Sequence, residues 1–311
     1  MKTVLVKTTS IALLGALCTV SAFAAQTKTS KVSGATNTSV AAVKPSEPSK
    51  FELPVKLSYL AYFYGPSLNN PVAASTATDS LNSNYDDTTQ GDALAARHIL
   101  TVAKPLGNYK LSASIDFMTV LTDPANTGTS RGFFWKDAYL KAGNSKLATI
   151  AMGPTSLKLA GDVRYYIPTS KGARINDSMG AIRASFNPSL EFAKSRFSIS
   201  SVNYAKVFMQ TKDKDINSGS NLTRYEFYTG PQVNFEFNDR VTAWVLYEAI
   251  VHKDTLGNWD NNPLRAKTLT DVEPGADVKI TDNISVSPYL NWYPALPLKT
   301  TSVNIALSAS L

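Results

Sequence analysis

The charged residues that could handle a solute are spaced by even numbers. Lys158, Asp162 and Arg164 share one parity, as do Arg224 and Glu226, and Lys267, Asp271 and Glu273. Arg183 and Glu248 stand in further segments of the same kind. In an extended chain, residues two apart project from one face. Guanidinium groups so placed present planar forks to carboxylates or phosphates, and carboxylates attract cations. This is chemistry of non-covalent recognition. Covalent catalysis has little to work with. A hydroxyl nucleophile needs a neighbouring base that is itself oriented by a third group, and the chain has two histidines. His98 is followed by Ile99 and Leu100, and His252 by Lys253 and Asp254. His252 with Asp254 or Asp260 outlines a carboxylate–imidazole pair but no recognisable constellation. One cysteine and two histidines cannot build a Cys/His zinc site. Asp79, Asp86, Asp87 and Asp92 do not follow calcium-loop spacing and read as a solvated acidic loop. No catalytic residue, metal or cofactor is expected.

The elements that would carry these charges are strands. From Phe51 onward apolar and polar residues alternate with period two, and no sustained 3.6-residue rhythm appears. Twelve segments are predicted, near 53–64, 93–104, 108–121, 133–144, 155–168, 179–192, 197–210, 222–238, 240–252, 265–280, 284–294 and 301–311. The stretch 145–154 extends a neighbour. Short connections such as Pro105–Asn108, Ala193–Arg196, Asn238–Arg240 and Thr281–Asn283 alternate with long ones rich in Asn, Ser, Thr, Asp and Gly. One end of the array therefore carries turns and the other loops, as in transmembrane barrels, and an even strand number returns both ends of the array to one side.

The two faces differ. Tyr225, Phe227, Thr229, Val233, Phe235 and Phe237 oppose Arg224, Glu226, Gln232, Asn234 and Glu236. Val272, Pro274, Ala276 and Val278 oppose Asp271, Glu273, Asp277 and Lys279. A soluble sandwich also alternates, but twelve two-faced strands would then need a second apolar layer, and no helices are predicted to supply it. Aromatic residues gather near the loop ends (Tyr62–Phe63–Tyr64, Phe133–Phe134–Trp135, Tyr165–Tyr166, Trp292–Tyr293) and near the turns (Tyr109, Phe192, Phe197, Phe235, Phe237). Two such groups suit the two interfaces of a bilayer. A one-residue slip would push Lys158 or Arg164 into lipid at about 2–4 kcal/mol each, so register is strongly specified. Lys136 and His98 fall on the apolar parity and break the rule.

The N-terminus addresses the chain. Lys2 and Lys7 precede an apolar run from Ile11 to Val20, and Ala22–Phe23–Ala24 has the A-x-A form of a signal-peptide cleavage site. The expected domains are a signal peptide at 1–24, a Ser/Thr/Ala/Lys-rich periplasmic linker at 25–50, and a barrel at 51–311. Removing Lys2 and Lys7 takes the formal charge from +7 to +5, too mild an excess to argue for nucleic acid. Beyond residue 25 no apolar stretch approaches the ~18–20 residues of a membrane helix.

The last segment carries a resemblance. Val303, Ile305, Leu307, Ala309 and Leu311 alternate with Ser302, Asn304, Ala306, Ser308 and Ser310. This resembles the C-terminal strand of Gram-negative outer-membrane β-barrel proteins, and the whole body is similar to porin-like barrels of intermediate size. The resemblance implies an all-β fold: a closed antiparallel transmembrane β-barrel of about twelve strands, with short periplasmic turns and long external loops. It also implies an outer-membrane location, contact with lipids, and recognition of 302–311 by the barrel-assembly machinery. It names no solute and no oligomeric state. Residues of interior parity include Lys158, Asp162, Arg164, Arg183, Arg224, Glu226, Glu248, Lys267, Asp271 and Glu273, which are the expected pore-lining set. Twelve strands fall between small filled barrels and large aqueous ones. Two readings follow: a narrow charge-lined channel for small hydrophilic solutes, or a plugged barrel whose external loops bind a surface partner. Arg164 and Arg183, on neighbouring segments, either form a fork for carboxylate or phosphate groups of a solute or are neutralised by Asp162, Glu191 and Glu226.

Overall fold

The computed structural model describes residues 55–67, 95–120, 132–217, 219–259, 270–292, 294 and 301–310. The expected signal peptide and linker lie outside the described residues, as do Lys267 and Asp260. The period-two segments form thirteen strands: β1 (Lys56–Ser67), β2 (Ala95–Leu106), β3 (Tyr109–Val120), β4 (Gly132–Trp135), β5 (Ala138–Met152), β6 (Thr155–Ile167), β7 (Ser178–Phe192), β8 (Phe197–Gln210), β9 (Thr223–Asn238), β10 (Val241–Asp254), β11 (Thr270–Lys279), β12 (Ile284–Asn291) and β13 (Ser302–Ser310). A one-turn helix, α1 (Lys171–Ile175), lies between β6 and β7.

Pairing closes the sheet. Every pair of hydrogen-bonded strands is antiparallel, and β1 pairs β13, with Tyr62 opposite Ala306 and Tyr64 opposite Asn304. Both β4 and β5 pair with β3, at opposite ends of it, so they share one position in the wall. The result is a closed twelve-stranded antiparallel barrel, as the sequence predicts. Closure removes the exposed edges that an open sheet would carry.

The break between β4 and β5 accounts for Lys136. This residue and Asp137 are not strand. The Lys136 amide donates to the Asp116 carbonyl at 3.0 Å, its carbonyl accepts from the Thr169 hydroxyl, and the Ser170 amide donates to the Asp137 carboxylate at 2.8 Å. Lys136 is thus part of a kink stitched to the β6–α1 connection, not a lipid-facing strand residue. The stretch at 145–152 extends β5, across a bulge between Asn144 and Ala148.

Turns and loops separate as expected. Two-residue turns at Gly107–Asn108 and Gly153–Pro154 each use a glycine at positive φ, +63° and +61°, a conformation that carries a steric penalty for other residues. At the other end α1 begins at Ser170, whose hydroxyl accepts from the Ala173 amide. The loops interlock there: Asn176 donates to Asp215, Lys212 pairs with Asp177, and Asn221 donates to Asp254.

The two faces of the wall are opposites. Leu100, Ile115, Leu140, Ile182, Val233 and Val245 are 44–51% exposed on the outside, whereas inward Asp162 and Asn304 are fully buried. An apolar outside over a polar inside inverts a water-soluble protein and fits a cylinder in hydrocarbon. Part of the predicted aromatic girdle is corrected. Phe63, Phe133, Trp135, Tyr165, Tyr225 and Phe227 do lie exposed outside, but Tyr64 is buried and Tyr62 packs beside it in the interior. His98 does face outward. Its Nδ1 meets the Tyr59 hydroxyl at 2.7 Å, its Nε2 meets the Thr119 hydroxyl at 3.0 Å, and its ring stacks on Phe117 at 4.8 Å. Both nitrogens are partnered, which relieves the penalty of an imidazole at an apolar surface.

The candidate lumenal site

Register alone assembles a row of cations. Lys141 of β5 stands opposite Arg164 of β6, Arg164 opposite Arg183 of β7, and Arg183 opposite Lys206 of β8. Four positive side chains thus stand side by side on four strands, all inward. Lys206 then faces Glu226 of β9, and Glu226 faces His252 of β10. Like charges placed directly opposite are unfavourable, so their surroundings matter.

Asp162 meets two of the four. It is fully buried, receives Arg164 Nε at 3.1 Å, and lies 3.4 Å from Lys141 Nζ. Ser185 also donates to it. Aromatic rings flank the row. The Arg164 guanidinium lies 5.2 Å from the Tyr139 ring centre, and that of Arg183 lies 3.6 Å from Tyr204. Lys206 Nζ lies 4.8 Å from Tyr166 and 4.2 Å from Phe208. Cations over ring faces gain about 0.5–2 kcal/mol each, and the rings stabilise the charges without neutralising them.

The expected neutralisation is half observed. Arg164 is paired with Asp162. Arg183 bonds to the Ser185 hydroxyl at 3.2 Å, and no carboxylate of the described residues lies within ion-pair distance of it. Glu191 instead pairs with Lys158 at 2.5 Å. Glu226 accepts from the Tyr204 hydroxyl at 2.9 Å and meets His252 Nε2 at 3.3 Å. His252 therefore belongs to this polar row, while Asp254 accepts from Asn221 and Asn258. Arg224 is half-buried at the loop end of β9.

A third of the way around the wall the interior changes character. Trp244 of β10, Tyr289 of β12 and Ala306 of β13 pack with Tyr62 and Leu246. Gly275 of β11 makes this possible, because a Cβ there would lie 2.5 Å from the Trp244 ring. Trp244 Nε1 donates to Asp277 at 3.0 Å. Against this packed sector lie Glu248, Asp271 and Glu273, the last two buried. On the far side of Tyr62, Arg97 of β2 closes on buried Asp116 at 2.6 Å. Lys141, Lys206, Arg97 and Asp116 lie outside the expected pore-lining set, because their importance arises from cross-strand register.

The fold and this interior define a transmembrane β-barrel with a charged, partly packed lumen. No family model matches the sequence, and no curated protein matches it. Among solved structures, an outer-membrane channel from Pseudomonas putida F1 aligns over 87% of this chain and 100% of its own, at TM-score 0.49 and 11% identity. A KdgM porin in complex with disordered oligogalacturonate aligns over 82% of this chain and 99% of its own, at TM-score 0.41 and 8% identity. OmpF of Salmonella typhi, in complex with daunomycin, aligns over 83% and 97%, at TM-score 0.36 and 6% identity.

Proposed function

We propose that this barrel is an outer-membrane pore through which small hydrophilic solutes diffuse passively, with the row Lys141–Arg164–Arg183–Lys206 as its electrostatic constriction. The observation that carries the reading is the row itself. Four adjacent cations, two of them on Asp162 and a third opposite Glu226, keep an excess of positive charge that works against stability, and such an arrangement is expected where charge serves a passing solute. Of the expected lining residues, Lys158, Arg164, Arg183, Arg224 and Glu226 belong to this side of the lumen, with Asp162 beneath them. Glu248, Asp271 and Glu273 would supply the opposite charge across the lumen. The net field at the row is positive, so small anions are favoured over cations. Residues 1–24 serve as the export signal, 25–50 as a periplasmic linker, and 302–311 as the segment read by the assembly machinery.

Ion selectivity in planar bilayers tests the reading. Under a salt gradient the wild-type protein should give discrete steps with an anion-favouring reversal potential. Arg164→Glu combined with Arg183→Glu should move that potential toward cations. An unchanged reversal potential removes the pair from the mechanism.

A further inference from the structure

Glu248, Asp271 and Glu273 offer carboxylate oxygens that all lie within 4.8 Å of one another. Register places them together: Glu248 pairs Asp271 across β10 and β11. Val272 bridges Trp292 and Gly275 pairs Tyr289, which sets Asn291 of β12 beside Glu273. The Tyr228 hydroxyl donates to Glu248. Among the described residues no Lys, Arg or His forms an ion pair with any of the three. Three carboxylates brought together, two of them buried, repel one another and lose hydration, an arrangement relieved either by protons or by a compensating cation.

Asn291 supplies an independent observation. It is 1% exposed, and its Nδ2 donates to Asp271 at 2.6 Å and to Glu273 at 2.9 Å. Its Oδ1 is buried with no hydrogen-bond partner. An unmet buried amide oxygen is uncommon and calls for an explanation. The two ends of an amide have nearly the same shape. A half-turn of this one exchanges the two Nδ2 hydrogen bonds for an Oδ1 presented to the place where the carboxylates converge, making a fourth oxygen donor to a cation held there.

The geometry points to a divalent cation site of calcium type inside the barrel, formed by Glu248, Asp271, Glu273 and Asn291 Oδ1. All four donors are hard oxygens. Oxygens at ~2.3–2.6 Å from Ca²⁺ can be separated by up to about 5 Å, which spans this cluster. Mg²⁺, at ~2.0–2.1 Å, would require it to contract. The site ties β10, β11 and β12 together and cancels charge where the row on β5–β8 does not reach. It stands independently of the pore reading.

The test is calorimetric titration of CaCl₂ into the full-length protein, purified in detergent and freed of divalent ions with a chelator, with MgCl₂ in parallel. One Ca²⁺ per chain is expected, with Mg²⁺ at least ~10-fold weaker. Asp271→Asn combined with Glu273→Gln should weaken Ca²⁺ at least ~10-fold, and Asn291→Leu should weaken it more than Asn291→Asp does. Heat-modifiable migration in electrophoresis selects the variants that still form the barrel. Absence of Ca²⁺ binding to the wild-type protein overturns the site. So does binding that survives the double substitution, which would place the ion on other carboxylates.

Discussion

The arc of wall from β5 to β9 and the arc from β10 through β13 to β3 use the same alternating strands for opposite ends. In the first, cations stand in file, flanked by aromatic rings, and Arg183 has no carboxylate partner among the described residues. In the second, Trp244, Tyr289, Tyr62, Tyr64 and Met118 fill space, and acids gather against them. A uniform ring of paired charges would make a plug, and a uniform aromatic lining would exclude water. In the proposed pore, dividing the two around one circumference leaves a charged side for a solute and a packed side that narrows its path. The barrel geometry does not dictate this division. It comes from which inward residues the register sets side by side.

The largest effect that separates the arcs should come from Asp162→Asn. It strands Arg164 and Lys141 in a buried setting, and breaking a buried pair costs about 3–5 kcal/mol. Urea unfolding of the detergent-solubilised barrel measures it, and a loss below ~1 kcal/mol would mean that the row does not depend on this carboxylate. Trp244→Ala removes the main space-filler of the other arc. A loss of about 3–5 kcal/mol is expected, with a rise in single-channel conductance; unchanged conductance would show that the packed arc does not bound the path. Arg183→Glu should move the reversal potential toward cations while lowering stability by at most ~2 kcal/mol, the limit of its stacking on Tyr204. Lys158→Gln should matter least. Its ion pair with Glu191 has both side chains about one-third exposed, and such pairs contribute about 0.2–1 kcal/mol. A double-mutant cycle with Glu191→Gln reads that coupling.

Much of this was legible in the sequence, because a period of two reports the faces of a strand directly. The twelve wall positions, the short and long ends, and the inward parity of Arg164, Arg183, Asp271 and Glu273 all follow from it. Three features did not. The kink at Lys136–Asp137 has no turn signal of its own and is held by Asp116, Thr169 and Ser170 from elsewhere in the chain. The inward tyrosines looked like girdle residues, since a ring near a strand end suits either side of the wall. Tyr62 shares its parity with Lys56 and Ser58, and that was the signal available. The cation row needed the relative shift of four strands, which one strand's pattern cannot supply. His98 broke the parity rule as read, and its resolution lies in Tyr59 and Thr119 on the strands that flank it.

The central claim is a water-filled path beside a positive wall. Current through a planar bilayer doped with the purified wild-type protein, recorded under a salt gradient, tests it most directly. Stepwise conductance with an anion-favouring reversal potential is the predicted result. Persistent silence, in a preparation whose electrophoretic mobility shifts on heating as a folded barrel's does, would contradict it.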